Sequence, residues 1–571
     1  MNKKTYSLFA ISLLYIVSVS SCKDLDEAPD NRTEIDVPGK VSKLLTSAYP
    51  STSPAIICEL SSDNMVDDNV VVPYTHSDAF YKFHEEAYYW ENIMNYSTDD
   101  SDTPFKVWDA YYNGIASANH AIKAMQAMSS DPAQDIDLAH SWGEAHLLRA
   151  YLHFVLVNVF AEAYKDEAQS AADMGVPYVT EVENTVFVDY GTSDFRKSVA
   201  EVYRLIEKDI LEGIDLIDDA KYDVPAYHFN RNAANALAAR FYLFKRDYEK
   251  CLKYANDALG RTPPLREWKA INKNTLATKV KDYNDEAQPC NFLIQSTHSL
   301  QWRMLFDNNR FAINEGTTFK DSNEKTWHVP STMSVTVWGS GPNWSGTLPA
   351  FSGMVYINAY GQQYGAWLFR LYEYFEYTDK IAGIGYVHQL YQPFTADETL
   401  LCRAEAKLYL GDRDGAIHDL DLWTSSHMVT DALTLDQIKN KYNRSKSNND
   451  FVSELYPQEM GFEKVLTGDD LSVLDCILHF RRIETIHEGQ RWFDIKRYGI
   501  KVYHFYRGAK EDEIHVDSLM WNDPRRVLEI PNDVIQAGYP SSRELSALGS
   551  TNGGSYTMPH MKSQIKLYQE K

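Results

Sequence analysis

Two stretches lying 165 residues apart repeat one another, and no other feature of the chain constrains its fold as much. Residues 239–253 (ARFYLFKRDYEKCLK) and 404–418 (AEAKLYLGDRDGAIH) align Ala239 with Ala404, Leu243 with Leu408, Asp247 with Asp412 and Leu252 with Ile417. Each reads as helix, short polar turn, helix. Alanine at the close-contact positions lets paired helices approach. This is the logic of a tetratricopeptide unit, although no strict period of about 34 residues runs through the chain. Helical spacing recurs elsewhere. Phe105, Trp108, Tyr111, Tyr112, Ile115, Ala118, Ile122 and Met125 fall at three- and four-residue steps. So do Trp142, Ala145, Leu148, Leu152, Val155, Leu156 and Val159, and the run from Val199 through Ile206 and Ile210 to Ile217. These patterns predict amphipathic helices with buried stripes.

Between the helical parts the character changes. Residues 261–393 are rich in Gly, Ser, Asn, Thr and aromatics, as in VWGSGPNWSGTLPAFSGMVYINAYGQQYGAW, and carry dense turn signals. They predict irregular loops with short strands over the scaffold. A second insertion of this kind runs from about Ser61 to Thr103. The expected class is mostly α: tetratricopeptide-like helix pairs as scaffold, with long irregular loop insertions and short strands.

The start, MNKKTYSLFAISLLYIVSVSSC, has Lys3 and Lys4, an apolar run from Tyr6 to Val19, then Ser20, Ser21 and Cys22. That order is a secretory signal peptide over 1–21. The run is short of the roughly 20 apolar residues a membrane span needs. Val19-Ser20-Ser21-Cys22 resembles a bacterial lipobox, with Val19 where Leu is commoner. Lipid on Cys22 would hold the chain to a membrane, each buried CH₂ contributing about 0.8 kcal/mol. Residues 22–38 (CKDLDEAPDNRTEIDVP) read as a flexible acidic tether.

A net charge of −24 argues against nucleic acid, whose phosphates need Lys and Arg. It favours a neutral or cationic ligand, or plain solubility. The five cysteines other than Cys22 lack C-x-x-C spacing, so neither a disulfide framework nor a zinc site is expected. Cys251 and Cys402 fall in helical patterns as small core residues. No H-E-x-x-H, G-x-S-x-G or P-loop is present, and no catalytic residue is assigned. Asp67 with Asp68, and Asp99, Asp100 with Asp102, read as solvated surface. Only clustering supports a calcium at Asp99–Asp102, so no metal or cofactor is expected.

The most specific stretch is ILHFRRIETIHEGQRWFDIKRYG, residues 477–499. Ile483, Ile486, Trp492 and Phe493 mark a buried face. Arg481, Arg482, Glu484, Glu488, Arg491, Asp494, Lys496 and Arg497 supply opposite charges at short spacing. Gly489 divides two helical halves. The expected role is a structural latch pinned by ion pairs. The stretch resembles the R-R-x-E-L-A-F-E-G-x-R-W-F-D-L-K-R-W-G signature of the SusD/RagB family, the nutrient-binding outer-membrane lipoproteins of the Bacteroidota. Thr485, Ile486, His487, Ile495 and Tyr498 depart from it. FKVWDAYYNGIASANHAI is similar to the family's W-x-x-x-Y-x-x-I-x-x-A-N helix, GEAHLLRAYLHFVLVNVFA to its G-E-A-x-x-L-R-A-F helix, and Gly175-Val176-Pro177 to the G-V-P turn that follows. Ile530-Pro531 through Gly538-Tyr539 resembles its closing segment; the tail from Pro540 has no counterpart.

The resemblance implies one SusD-like domain over 39–571, although length alone suggests two or more. Its helical scaffold spans about 39–260 and 394–500. It implies no enzyme, but a lid on a SusC-like TonB-dependent transporter at the outer face of the outer membrane, binding glycans or, in some members, peptides. Lys23-Asp24-Leu25-Asp26-Glu27 resembles the phylum's surface-export signal. A protein-binding tetratricopeptide-like scaffold is the remaining alternative. Sugar rings stack on aromatic faces, so ligand contacts are expected in the insertions at Tyr74, Tyr81, Trp90, Trp338 and Trp344.

Overall fold

The computed structural model describes residues 34–67, 82–93, 101–182, 196–271, 273–274, 276–301, 372–427, 432–445, 452–507 and 514–543, with five short strands between 311 and 368. Cys22 and most of the tether lie outside the described residues.

Helices dominate. In chain order the ones used below are α1 (Pro38–Thr46), α2 (Ala55–Ser61), α3 (Lys82–Tyr88), α4 (Pro104–Met128), α5 (Ala139–Phe160), α6 (Val199–Gly213), α7 (Arg231–Lys245), α8 (Tyr248–Leu259), α9 (Ala396–Tyr409), α10 (Arg413–Ser426), α11 (Gly468–Glu484) and α12 (Gln490–Tyr498). The described strands are β1 (Met65–Asp67), β2 (Met174–Pro177), β3 (Arg196–Ser198), β4 (Asn291–Thr297), β5 (Phe311–Ile313), β6 (Thr317–Lys320), β7 (Thr326–Val329), β8 (Val355–Ile357), β9 (Ala366–Leu368), β10 (Glu373–Asp379), β11 (Ile384–Thr395), β12 (Val502–Arg507) and β13 (Ile514–Leu519). They pair antiparallel in two-stranded ladders, apart from one three-stranded sheet in the order β10–β11–β4. Two short helices, Trp268–Ile271 and Leu276–Asn284, also fall inside the stretch expected to hold only loops and strands.

The sequence repeat has a local cause. Asp247 and Asp412 both cap the second helix of their pair, accepting from the backbone N–H of Lys250 and Gly415. The residue before each cap is left-handed: Arg246 at φ 65° and Gly411 at φ 90°. Arg246 is held there by tertiary bonds. Its guanidinium donates to the carbonyls of Lys165 (2.7 Å) and Met460 (2.8 Å) and lies 3.8 Å from the Phe462 ring centroid. Cys251 and Cys402 are buried where α8 meets α9, the first thiol facing the second's carbonyl at 3.7 Å.

α5 departs from the expected stripe. Nineteen of its 22 residues are buried, so it has no solvated face. α4 and α6 flank it, and α1, β2 and α7 cover the remainder. Its polar residues are therefore paired inside. Arg149 donates to Asp209 through Nε and Nη2, both at 2.7 Å, and to Asn119 Oδ1 at 2.9 Å. Burial opposes ionisation of Asp209, but its bonds to Arg149 and His146 hold its carboxyl well below the usual range. Asn119 donates to Val179 O (3.0 Å) and Tyr112 to Pro177 O (2.9 Å). The two early helical motifs and the Gly-Val-Pro turn are thus one bonded unit. The third predicted helix stops at Gly213 and continues as a single 3₁₀ turn, Ile214–Leu216.

The C-terminal signature forms the expected helix, glycine turn and helix. Nearly all of it is buried, and its arginines are ion-paired: Arg491 with Asp63 through two 2.8 Å bonds, Arg497 with Asp494 (2.8 Å) and with Glu405, and Arg481 with Asp494 (3.1 Å) and Glu398 (3.3 Å). The latch therefore ties α9, α11, α12 and the segment after α2 together.

Candidate functional site

The loop from Ser47 to Thr52, the start of α4 and the end of β4 enclose a polar cleft of about 450 Å³. Hydrogen bonds to and from the backbone fix its walls. The His298 N–H donates to Ser51 O (2.7 Å), Thr52 Oγ1 to Ser101 O (2.8 Å), and the Leu300 N–H to Asp102 Oδ2 (2.8 Å). Lys106, Asp109 and Asn113 stand about one helical turn apart, so α4 presents all three on one ridge into the cleft. Asp109 and Asn113 are exposed and Lys106 is half-buried. Tyr49 forms the back. Its hydroxyl donates to Glu144 Oε1 (2.7 Å) and accepts the Phe229 N–H (2.7 Å). Burial, and then Glu144, push that hydroxyl well above the usual range, so it remains a neutral donor.

An aromatic wall adjoins the cleft. The His298 ring meets Tyr386 edge-on, with centroids 5.3 Å apart. Tyr386 is 40% exposed, and its hydroxyl donates to Glu376 Oε2 across the β10–β11 ladder (2.7 Å). Strand alternation turns Phe375 and Tyr377, also exposed, to the opposite face of that hairpin. The cleft thus combines an ammonium and an amide that donate, a carboxylate that accepts, and flat rings alongside. That mixture suits a ligand with an apolar C–H face and hydroxyls.

Of the residues expected to touch ligand, Tyr74, Tyr81, Trp338 and Trp344 lie outside the described residues. Trp90 requires a correction. It sits just beyond α3 with φ 54°, and its ring turns inward, 1% exposed. Its indole N–H donates to Ser61 O (2.8 Å), and its ring stacks on His504 at 4.0 Å, with the Arg525 guanidinium 5.3 Å from its centroid. The ring is packed against protein and offers no platform. Trp90→Phe is expected to lower unfolding stability by about 2 kcal/mol, through the lost bond and volume. Equilibrium denaturation would show it, and an unchanged midpoint would remove the wedge role.

The acids also need correction. Asp67 and Asp102 are buried rather than solvated; Asp67 accepts from the Tyr89 hydroxyl. Among the described residues no group of three or more His, Cys, Asp and Glu is placed to hold a metal.

Lys106, Asp109, Asn113, His298 and Tyr386 were not singled out from the sequence. The first three recur at helical spacing, but so does any solvated helix ridge. His298 reaches the cleft, and Tyr386 the ring of His298, through sheet pairing, which leaves no short-range signal.

The described residues thus combine tetratricopeptide-like helix pairs with a polar cleft and an aromatic flank. The chain belongs to the SusD/RagB family. A SusD-like family model described as starch-binding, associating with the outer membrane, matches residues 23–243, and the SusD family model matches residues 358–566. A SusD-like protein of Formosa agariphila is 28% identical over 193 residues, covering 34% of this chain; the chain matches only about a third (32%) of that protein's length. A SusD superfamily protein of Bacteroides fragilis superposes with a TM-score of 0.54 at 16% identity, covering 88% of this chain and 99% of its own. A SusD-like carbohydrate binding protein of Bacteroides vulgatus gives 0.51 at 15% identity, covering 88% and 96%. These two likenesses show the fold.

Proposed function

We propose that the chain is a surface-exposed, lipid-anchored glycan-binding protein that captures oligosaccharide and passes it to a SusC-like TonB-dependent transporter in the outer membrane. The observation that carries this reading is the cleft at Lys106, Asp109, Asn113 and His298, with donors, an acceptor and the Tyr386 ring side by side. Family membership supports it. The role is binding without turnover: release of products from a bound glycan, abolished by one carboxylate-to-amide change, would overturn that part.

Titration calorimetry of the purified protein against oligosaccharide and peptide series tests the ligand class. Asn113→Ala combined with Lys106→Met is expected to weaken oligosaccharide binding about tenfold, through loss of two hydrogen-bond donors that face solvent in the free protein. Peptide binding with no response to any oligosaccharide would replace the glycan reading. Cys22→Ala is expected to leave binding in solution unchanged and to abolish uptake by cells, because the acidic tether then holds nothing to the membrane. Undiminished uptake would sink the anchored-lid role. Protease treatment of intact cells should remove the protein; full protection would point to a periplasmic, protein-binding scaffold.

A further inference from the structure

We propose that a second groove, on the next face of α4, binds an organic ammonium group. The groove encloses about 450 Å³, within the range of small-molecule sites. Trp108 and Tyr112 of α4 line it together with Pro177 at the end of β2 and Tyr539 of the closing segment, while Glu181 and Asp533 are exposed.

Hydrogen bonds and ring contacts hold the groove's lining in place. Tyr112 donates to Pro177 O (2.9 Å), and the Trp108 ring lies 4.7 Å from Tyr112 and 5.3 Å from Phe160. The Tyr539 N–H donates to Val534 O (3.2 Å), closing the short helix that carries Asp533.

Its chemistry differs from that of the polar cleft. There a cation, an amide and a carboxylate stand together, which suits hydroxyls that both donate and accept. Here, among the described lining residues, two carboxylates stand without Lys or Arg, and the other titratable groups are His120, Tyr112 and Tyr539. Arg196 is the nearby cation: it interacts with Tyr112 and Tyr539 of the lining and with Glu529, and its guanidinium is engaged by Gly175 O, Pro540 O and Ser542 Oγ. Aromatic faces attract a cation through the ring quadrupole, and the two acids add to that attraction. A net charge of −24 raises the local concentration of any cation that approaches. The ammonium would come from an amino sugar or from the amine of a peptide. In either case the groove would read a group that the polar cleft has no acid pair to read.

Calorimetry with choline, and with its neutral isostere in which carbon replaces nitrogen, tests the charge requirement in one buffer. Choline is expected to bind about tenfold more tightly than the isostere. Glu181→Gln with Asp533→Asn should weaken choline about fivefold, and Trp108→Leu about tenfold, with circular dichroism unchanged. Both variants should keep their oligosaccharide affinity, so failure of this site is read separately from failure of the glycan reading. Glucosamine and lysine methyl ester, run against glucose and norleucine amide blocked at its amine, identify the source by which amine shows the larger gain. Equal binding of choline and its isostere, choline binding indifferent to both variants, or no binding of any amine would each overturn the proposal.

Discussion

Gly489→Ala is expected to destabilise the protein by about 3–4 kcal/mol, among the largest losses any single methyl group would cause here. Gly489 opens α12 with φ 74°, a left-handed conformation that alone costs an L residue about 1–2 kcal/mol. Space adds a second cost. A Cβ there would lie 2.8 Å from Cys58 Cβ and 3.0 Å from Ala55 Cα, and the second is backbone of α2 that cannot step aside. The turn is pressed against α2 because Glu59 collects it: the His487 N–H donates to Glu59 Oε1 (3.0 Å) and the Gly489 N–H to Oε2 (3.2 Å). Gly468→Ala is the control. It has φ 59°, but no neighbouring atom lies within 4 Å of where its methyl group would stand, so it should lose only the conformational part. Equal losses for the two variants in urea unfolding would show that packing at Gly489 contributes nothing.

Arg481→Met is expected to cost about 3–4 kcal/mol, since removing one partner leaves buried charge uncompensated. Arg481 is 1% exposed and stands between Asp494 of α12 (3.1 Å) and Glu398 of α9 (3.3 Å). Arg240 of α7 reaches the same Glu398 (3.0 Å), so one carboxylate joins the first helix pair, the second pair and the C-terminal latch. A double-mutant cycle with Glu398→Gln measures the coupling, and additive losses would rule out the shared network. The same carboxylate gives a pH signature. Burial alone would raise its pKa, but Arg240 and Arg481 outweigh burial and hold it at about 2, against an ordinary 4.5. The folded value is the lower one, so the unfolded chain takes up the proton first. The stability it contributes, about 3 kcal/mol, is complete above pH 4.5 and is lost as pH falls toward 2. Wild type should lose stability steeply in that window and Glu398→Gln should lose less; parallel curves would contradict the assignment.

What the chain's residues settled alone is local in origin. Helical periodicity, the capping aspartates Asp247 and Asp412, and the glycine between two charged helical halves each act within a few turns of backbone. A short window is enough to read them, and the helix pairs and the latch follow. Tertiary structure decided exposure and juxtaposition. Trp90 looked like a sugar platform and became a core wedge, because β12 brings His504 against its ring. α5 carried a stripe yet lost its solvated face to neighbours on every side. The polar cleft joins Ser51, Lys106 and His298 through a single backbone bond, a helix ridge and a sheet edge. Nothing in a short window of sequence encodes that meeting. Which face of a ring or a helix is left to water depends on what distant chain packs against it, and that is set by the whole core at once.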